Sequence, residues 1–502
     1  MLMLKKKFLS LSCAAALAAG IPPAFASSTF FLVVPLNAQS KAQEPVESIT
    51  VSLAGAMLPK ATANQAYTHS LQDYLTVTGD SSLDKSAARW SLVEGTLPTG
   101  LALDATTGAV VGVPATKTTS PASFTVLATY KGSDGQAVYS IEVGGVVLNV
   151  REISAGFNHT CAITNVGGVK CWGDNAYGQL GDNSTTPRLL PVNVVGLSTG
   201  VEHIVAGSNH TCAMMSGAVK CWGFNSTGQL GTNNTTTRLT PGSVVGLSSG
   251  VASISAGNAH TCVVTTAGAA KCWGHNGYGQ LGDNSTTKRL TPVDVVGLTS
   301  GVASISAGNT HTCAVTTTGA AKCWGQNSYG ALGNNSTTDR LTPVDAVGLT
   351  AGVASITTGY QHTCAMTTSG GAKCWGRNSN VQLGDNSATN RLTPVNVVGL
   401  TSGVASISAG NYHTCAVTTS GGAKCWGNNI NNELGDNSTT NRSTPVNVVG
   451  LTSGVASISA GNRHTCVVMT SGAGKCWGYN ASGQLGDNST TNRKTPVDVQ
   501  GP

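Results

Sequence analysis

The sequence predicts an all-β protein: a seven-bladed β-propeller of four-stranded antiparallel blades, preceded by an immunoglobulin-like β-sandwich. Three observations carry this expectation. A unit of near fifty residues recurs seven times, with copies starting at Val150, Val201, Val251, Val302, Val353, Val404 and Val455. A period of that length with several short strands per unit is the mark of a propeller or solenoid. Within each unit, short apolar runs alternate with Gly, Thr, Asn and Asp clusters, the punctuation of strands and turns. Glycine supplies 63 of 502 residues, nearly twice its usual share, which favours turns over long helices.

The elements follow in chain order. Lys5, Lys6 and Lys7 precede an apolar run from Phe8 to Gly20, and Ala24-Phe25-Ala26 offers a small-residue cleavage site. That is the plan of an export signal, so residues 1–26 are read as a leader, with Ala38 a second cleavage choice after the apolar patch Phe30–Leu36. The apolar run is too short to span a bilayer, and the processed chain is expected outside the cytoplasm: secreted, periplasmic or on the cell surface, and not membrane-spanning. Residues 27–45 read as a linker. Residues 46–149 read as a module of short strands, including Ile49–Leu53, Phe124–Tyr130 and Tyr139–Val143. Its Leu97-Pro98-Thr99-Gly100-Leu101 stretch, the Thr106-Thr107-Gly108 turn and Trp90 resemble the immunoglobulin-like modules of bacterial surface and secreted proteins. No cysteine lies within it, so the inter-sheet disulfide of antibody domains is absent. A spacer is the expected role.

Residues 150–502 form the repeat array. In the fourth copy the expected strands are Val302–Ala307 (A), His311–Thr316 (B), Ala320–Trp324 (C) and Pro343–Val347 (D). Six of the seven copies carry an Ala-Gly-x-x-His-Thr motif, as at Ala307–Thr312, with Thr358 in place of Ala in copy five, and the copies continue with Trp-Gly-x-Asn-x-x-Gly-x-Leu-Gly, as at Trp324–Gly333. These motifs, in phase over about 350 residues, resemble the regulator of chromosome condensation repeat. The resemblance implies a seven-bladed propeller. Copies five and six lose the inner glycine, reading Asn380-Val381-Gln382 and Asn431-Asn432-Glu433, so those two loops are expected to differ in shape. Closure of the ring is left open, with Val146–Val150 able to exchange onto the last copy.

Each copy carries two cysteines: Cys161 and Cys171, Cys212 and Cys221, Cys262 and Cys272, Cys313 and Cys323, Cys364 and Cys374, Cys415 and Cys425, and Cys466 and Cys476. In copy four a Thr317-Thr318-Gly319 loop makes Thr316 and Ala320 the closing pair of the B–C hairpin. Cys313 then faces Cys323 at a non-hydrogen-bonded site, where Cα atoms lie about 4.5 Å apart. Copy two is one residue shorter, and its Ser216-Gly217 turn keeps Cys212 opposite Cys221. Seven disulfides are expected in an exported chain. Free buried thiols are one alternative, and a metal held by His311, Cys313 and Cys323 is another. The recurring His and Trp are read as scaffold, the His in a structural hydrogen bond and the Trp filling the space between blades against Ala and Thr.

Variation between copies is greatest in the two residues before each His and in the loop after each Trp-Gly. In a four-stranded meander the A–B and C–D loops emerge on one face. Every Tyr and Phe of residues 150–502 falls in them: Phe157, Tyr177, Phe224, Tyr278, Tyr329, Tyr360, Tyr412 and Tyr479. Asp174, His275, Arg377 and Arg463 join them. Aromatic and Arg side chains among Asn, Ser and Gly make a recognition-surface composition, so these twelve are the candidate binding residues.

The remaining chemistry is sparse. There is no phosphate-cradling glycine loop before a helix, no G-x-S-x-G elbow and no HExxH, and 13 acids against 19 bases over residues 150–502 single out no acid/base pair. No catalytic residue, cofactor or metal is assigned. The Asn-Ser-Thr tripeptides look like glycosylation sequons but are read as turn residues. Intracellular members of the resembled family are guanine-nucleotide exchange factors and chromatin binders; secreted bacterial members include β-lactamase inhibitor proteins. The expected function is therefore an exported, non-enzymatic, monomeric binding protein for an unknown protein or cell-surface ligand, without nucleic-acid binding. A secreted enzyme inhibitor, an exchange factor and a central-channel hydrolase are the alternatives.

Overall fold

A computed structural model describes residues 48–118 and 120–501. The expected leader and the linker lie outside the described residues. In the front module Ala122–Tyr130 pairs antiparallel with Ser133–Ile141 and with Arg89–Gly95. Tyr67–Ser70, Ala109–Gly112 and Leu101–Leu103 make a second, three-stranded sheet. Trp90, Phe124, Tyr130, Tyr139 and Leu75 fill the core. The Thr106-Thr107-Gly108 turn is explained here: Gly108 sits at φ +67 with its α-carbon against the Trp90 ring, leaving no room for a β-carbon. The module is thus the expected sandwich.

The repeats form seven separate four-stranded antiparallel sheets, each made from one copy. In blade four the strands are Val302–Ala307, His311–Thr316, Ala321–Gly325 and Arg340–Asp345. The A, B and C strands match expectation to within a residue. The D strand does not: it starts at Arg340 and ends at Asp345, before the expected Val347. Pro343, expected to open the strand, lies inside it. The register slips between Cys323 and Gly325 opposite this stretch, and D is the outermost strand, so a residue with no N–H breaks no ladder.

Trp324 is fully buried between blades. Its cluster holds the expected alanines, Ala270, Ala307 and Ala314, and adds the larger Cys262 and Cys272 pair, Leu281 and Val295 of blade three; Thr312 pairs with it across the hairpin. Its Nε1 donates to the Gln280 carbonyl at 3.0 Å. Gly282, at φ +73, lies under the indole, which accounts for the Leu-Gly that ends each motif.

The ring closes without exchanging a strand. In blade four, Leu349 of the D–A loop accepts from Ala321 N at 2.8 Å, donates to Ala346 O at 3.1 Å, and leads to Val353 N, which donates to Gly319 O at 3.0 Å. In blade seven that role is filled from elsewhere in the chain. Leu148 takes its place: its carbonyl accepts from Gly474 N at 3.1 Å, its N–H donates to Val499 O at 2.8 Å, and Val150 N donates to Gly472 O at 2.7 Å. Residues ahead of blade one therefore complete blade seven, with Leu148 buried beside Trp172, Leu485 and Val499.

Candidate functional site: the loop face

The seven cysteine pairs face each other in register and are bridged, each with a Cα–Cα separation of 4.1 Å. The metal alternative fails on these partners. The sulfurs are paired, and His311 Nε2 lies 2.9 Å from Thr363 Oγ1 of blade five. That Thr hydroxyl donates to the Ala331 carbonyl at 2.8 Å, so it accepts from the imidazole, which is neutral and protonated on Nε2. The same bond links His159, His210, His260, His362, His413 and His464 to the blade that follows each, the last reaching Thr160 of blade one. Burial pushes all seven imidazoles down, to about 3 or about 4.

This frame sets the loops. In blade four, Gly308 N donates to His311 O at 2.9 Å, tightening the A–B loop. Gly325, at φ +102, turns the chain out of strand C, and Gln326 N donates to Thr310 O at 2.9 Å. The C–D loop thus leaves the sheet beside the A–B loop. Asn327 pins it from within, giving Nδ2 to Ser336 O at 2.8 Å and Thr338 O at 3.1 Å while its Oδ1 accepts from Leu332 N at 3.0 Å. The Asn-Ser-Thr tripeptides lie in this turn; Asn284, for example, sits at φ +58 and donates from its backbone to Leu341 O of the next blade at 3.1 Å.

The loops of copies five and six keep the common shape, contrary to expectation. Val381 and Asn432 adopt φ +56 and +70 where other copies have glycine. The residue standing opposite each on the neighbouring blade changes as well. Gly178, Gly228, Gly279, Gly330 and Gly483 each lie against a Leu of the following D strand, Leu239, Leu290, Leu341, Leu392 and Leu189. In the same register Val381 meets Ser443 and Asn432 meets Lys494, as the bonds from Asn386 N to Ser443 O (3.0 Å) and Asn437 N to Lys494 O (3.1 Å) show.

All twelve candidate residues are half-buried or exposed. They do not form one even ring. Tyr177 of blade one packs on Phe224 of blade two, ring centres 4.6 Å apart. His275 and Tyr278 make a looser pair in blade three, at 6.3 Å. The largest group runs across blades four to seven. The Arg377 guanidinium lies over Tyr329 at 5.2 Å and over Tyr412 at 5.9 Å; Tyr412 packs on Tyr360 at 5.2 Å; Arg463 lies 5.8 Å from Tyr479. Phe157 sits with Tyr360 at the axial opening. Asp174 and His275 are partly committed to the loop itself: Asp174 Oδ2 accepts from Gln179 Nε2 at 2.9 Å, and His275 Nδ1 lies 2.6 Å from Gln280 Nε2.

Three residues were missed. Ile430, 68% exposed, and Asn428 join Tyr412, Arg377 and Arg463 around one cleft. Glu433 lies buried beneath it where five of the other six loops carry Gln and copy four carries Ala331, bonded to Asn428 Nδ2 at 2.7 Å and Asn431 N at 2.8 Å, and burial pushes its carboxyl up. The departure of copy six from the repeat was the available signal. The axial opening, about 130 Å³, is walled by the Ala-Gly-x turns of all seven blades; among the described residues that line it there is no Asp, Glu, His or Lys for the hydrolase alternative to use.

No helix among the described residues is long and apolar enough to cross a membrane. The model of the RCC1-like domain matches residues 217–502. The Regulator of chromosome condensation (RCC1) repeat matches 150–179, 201–229 and 167–214, and the "Putative Ig domain" matches 48–144. The ultraviolet-B receptor UVR8 of Arabidopsis thaliana is 31% identical over 372 residues, covering 72% of this chain and 83% of that protein. The probable E3 ubiquitin-protein ligase HERC4 of Homo sapiens is 33% identical over 205 residues, 40% of this chain but 19% of its own length. Human WBSCR16 superposes with a TM-score of 0.60 at 21% identity over 67% of this chain and 94% of that one. Prp20p of Saccharomyces cerevisiae, described with its binding to Gsp1p and histones, superposes with a TM-score of 0.57 at 23% identity over 62% and 80%. With its repeats, its blades and these relatives in agreement, the chain belongs to the RCC1-like family of propellers, whose members serve protein interaction.

Proposed function

We propose that this chain is an exported, non-enzymatic, monomeric binding protein that recognises a protein or surface-glycan partner through its A–B and C–D loop face. The observation that carries this is the placement of every Tyr and Phe of the propeller in those loops, on a scaffold otherwise repeated almost residue for residue. Drift in exposed loops would scatter residue types; a surface selected for contact concentrates Tyr, Phe and Arg. A leader in residues 1–26 and fourteen paired cysteines fit an oxidising compartment outside the cytoplasm. A secreted enzyme inhibitor is the form of this reading in which the partner is an enzyme.

The test is capture of partners from culture fluid by the mature, oxidised chain. Replacing Tyr177, Phe224, Tyr360 and Tyr412 by Ser should abolish capture while leaving the melting profile in place. Unchanged capture by that variant overturns the reading.

A further inference from the structure

One cleft on the loop face differs in chemistry from its surroundings. It has a volume of about 380 Å³ at the junction of blades five, six and seven, and is bounded by Arg377, Asn380, Tyr412, Ile430, Asn431 and Arg463. Short Asn380 and Asn431 stand where blades one, three and four place Tyr177, Tyr278 and Tyr329, which helps leave the space open.

The cleft carries two guanidinium groups without a carboxylate. Elsewhere on the wheel, Arg391 and Arg442 sit against Asp385 and Asp436 at 2.7 and 2.9 Å. Arg377 instead gives Nε to Ser379 Oγ at 2.8 Å and Nη1 to Gln361 Oε1 at 3.1 Å, both neutral, and leans on Tyr412. Arg463 leans on Tyr479. Among the described residues neither forms an ion pair. The nearby acid, Glu433, is buried, with its oxygens taken by Asn428 and Asn431. The aromatic walls hold the guanidiniums in place, so little side-chain freedom remains to be lost when an anion arrives.

We propose that this cleft receives the carboxylate of a Glu or Asp side chain presented by a protein partner, with an apolar neighbour of that residue resting on Ile430. Planar, preorganised guanidiniums suit a carboxylate's two oxygens, and Ile430 offers an apolar contact that a free inorganic anion would not use. The inference rests on the loop face being a binding face and names the chemistry of its anchor.

The probe is a blocked peptide, acetyl-Gly-Leu-Glu-Leu-Gly-amide, titrated into the mature oxidised chain labelled with 15N-arginine. The Glu peptide should shift the Arg377 and Arg463 Nε–H signals saturably. Its Gln counterpart should bind about tenfold or more weakly, as expected when a charge-assisted hydrogen bond is lost. Arg377→Gln and Arg463→Gln should each weaken the Glu peptide by a similar factor. Arg377→Lys, which keeps the charge, should weaken it less, and Ile430→Ser should weaken Leu-flanked more than Gly-flanked peptides. Equal binding of the Gln peptide, tighter binding of inorganic phosphate, or no saturable shift up to about 10 mM would each overturn the proposal. If the R377Q/R463Q chain still captures its partner while the aromatic variant does not, the carboxylate anchor fails and the binding face stands.

Discussion

Acid should unfold this protein over a narrow range of pH, and the seven buried histidines set that range. Each imidazole is neutral, gives its only proton to the Thr of the next blade, and is held at about 3 or about 4 by burial. In the unfolded chain these groups titrate near pH 6.5. Between about pH 6.5 and 4 the unfolded state therefore binds protons that the native state does not, and stability falls as pH is lowered. One such histidine contributes a slope of about 1.4 kcal/mol per pH unit, and seven together approach about 9 kcal/mol per unit near pH 5. His203 runs the other way: Glu152 raises it, so its contribution builds up as pH falls toward 6.5 and is constant below, but it is a single half-exposed group. A stability of about 10 kcal/mol would be consumed within little more than one unit. The assay is urea unfolding followed by tryptophan fluorescence at pH 7, 6, 5.5 and 5, with disulfides intact. The extrapolated stability should fall ever more steeply over that series, and His260→Gln should lower the slope at pH 5 by about one seventh. A stability unchanged between pH 7 and 5, or one of the seven buried imidazoles titrating near 6.5 in the folded chain, would refute the reasoning.

Other consequences are checked as simply. Thiol labelling of the native mature chain should modify none of the fourteen propeller cysteines, and all fourteen after unfolding and reduction. Leu148→Ala should destabilise the propeller by about 2–5 kcal/mol, as Leu349→Ala should, because both side chains close a blade; a neutral Leu148→Ala in chemical denaturation would deny it that role. Gly279→Val should destabilise strongly by collision with Leu341, and Leu341→Ser should restore part of the loss. A double-mutant cycle with no coupling would show that the two residues do not share that space.

The architecture was legible because the signals were local and repeated. The hairpin lengths alone placed Cys313 opposite Cys323 and Cys212 opposite Cys221. The face of the variable loops followed from counting strands. What could not be read was set by neighbours distant in sequence. The start of the D strand is fixed where Gly325 meets Arg340, not by the conspicuous Pro343. The loops at Val381 and Asn432 kept their shape at positive φ, and the residues opposite them, Ser443 and Lys494 in place of Leu, stand sixty-two residues on. Ile430 escaped notice because an aliphatic side chain in a loop carries no chemical signature until its exposure is known. Glu433 was visible only as one of two departures, with Ala331, from a run of glutamines.

The Val381–Ser443 and Asn432–Lys494 matches join different copies, so the unit that fits together is the seam and not the blade. Blades one to four share one Gly–Leu seam and should tolerate being traded or duplicated among themselves. Blade six has a seam of its own on each side, and moving it alone would set Val381 against Lys494 and leave Ser443 facing glycine. The order of the last three copies is thereby written into the protein, and any lengthening of the wheel by tandem duplication has room only in its first half.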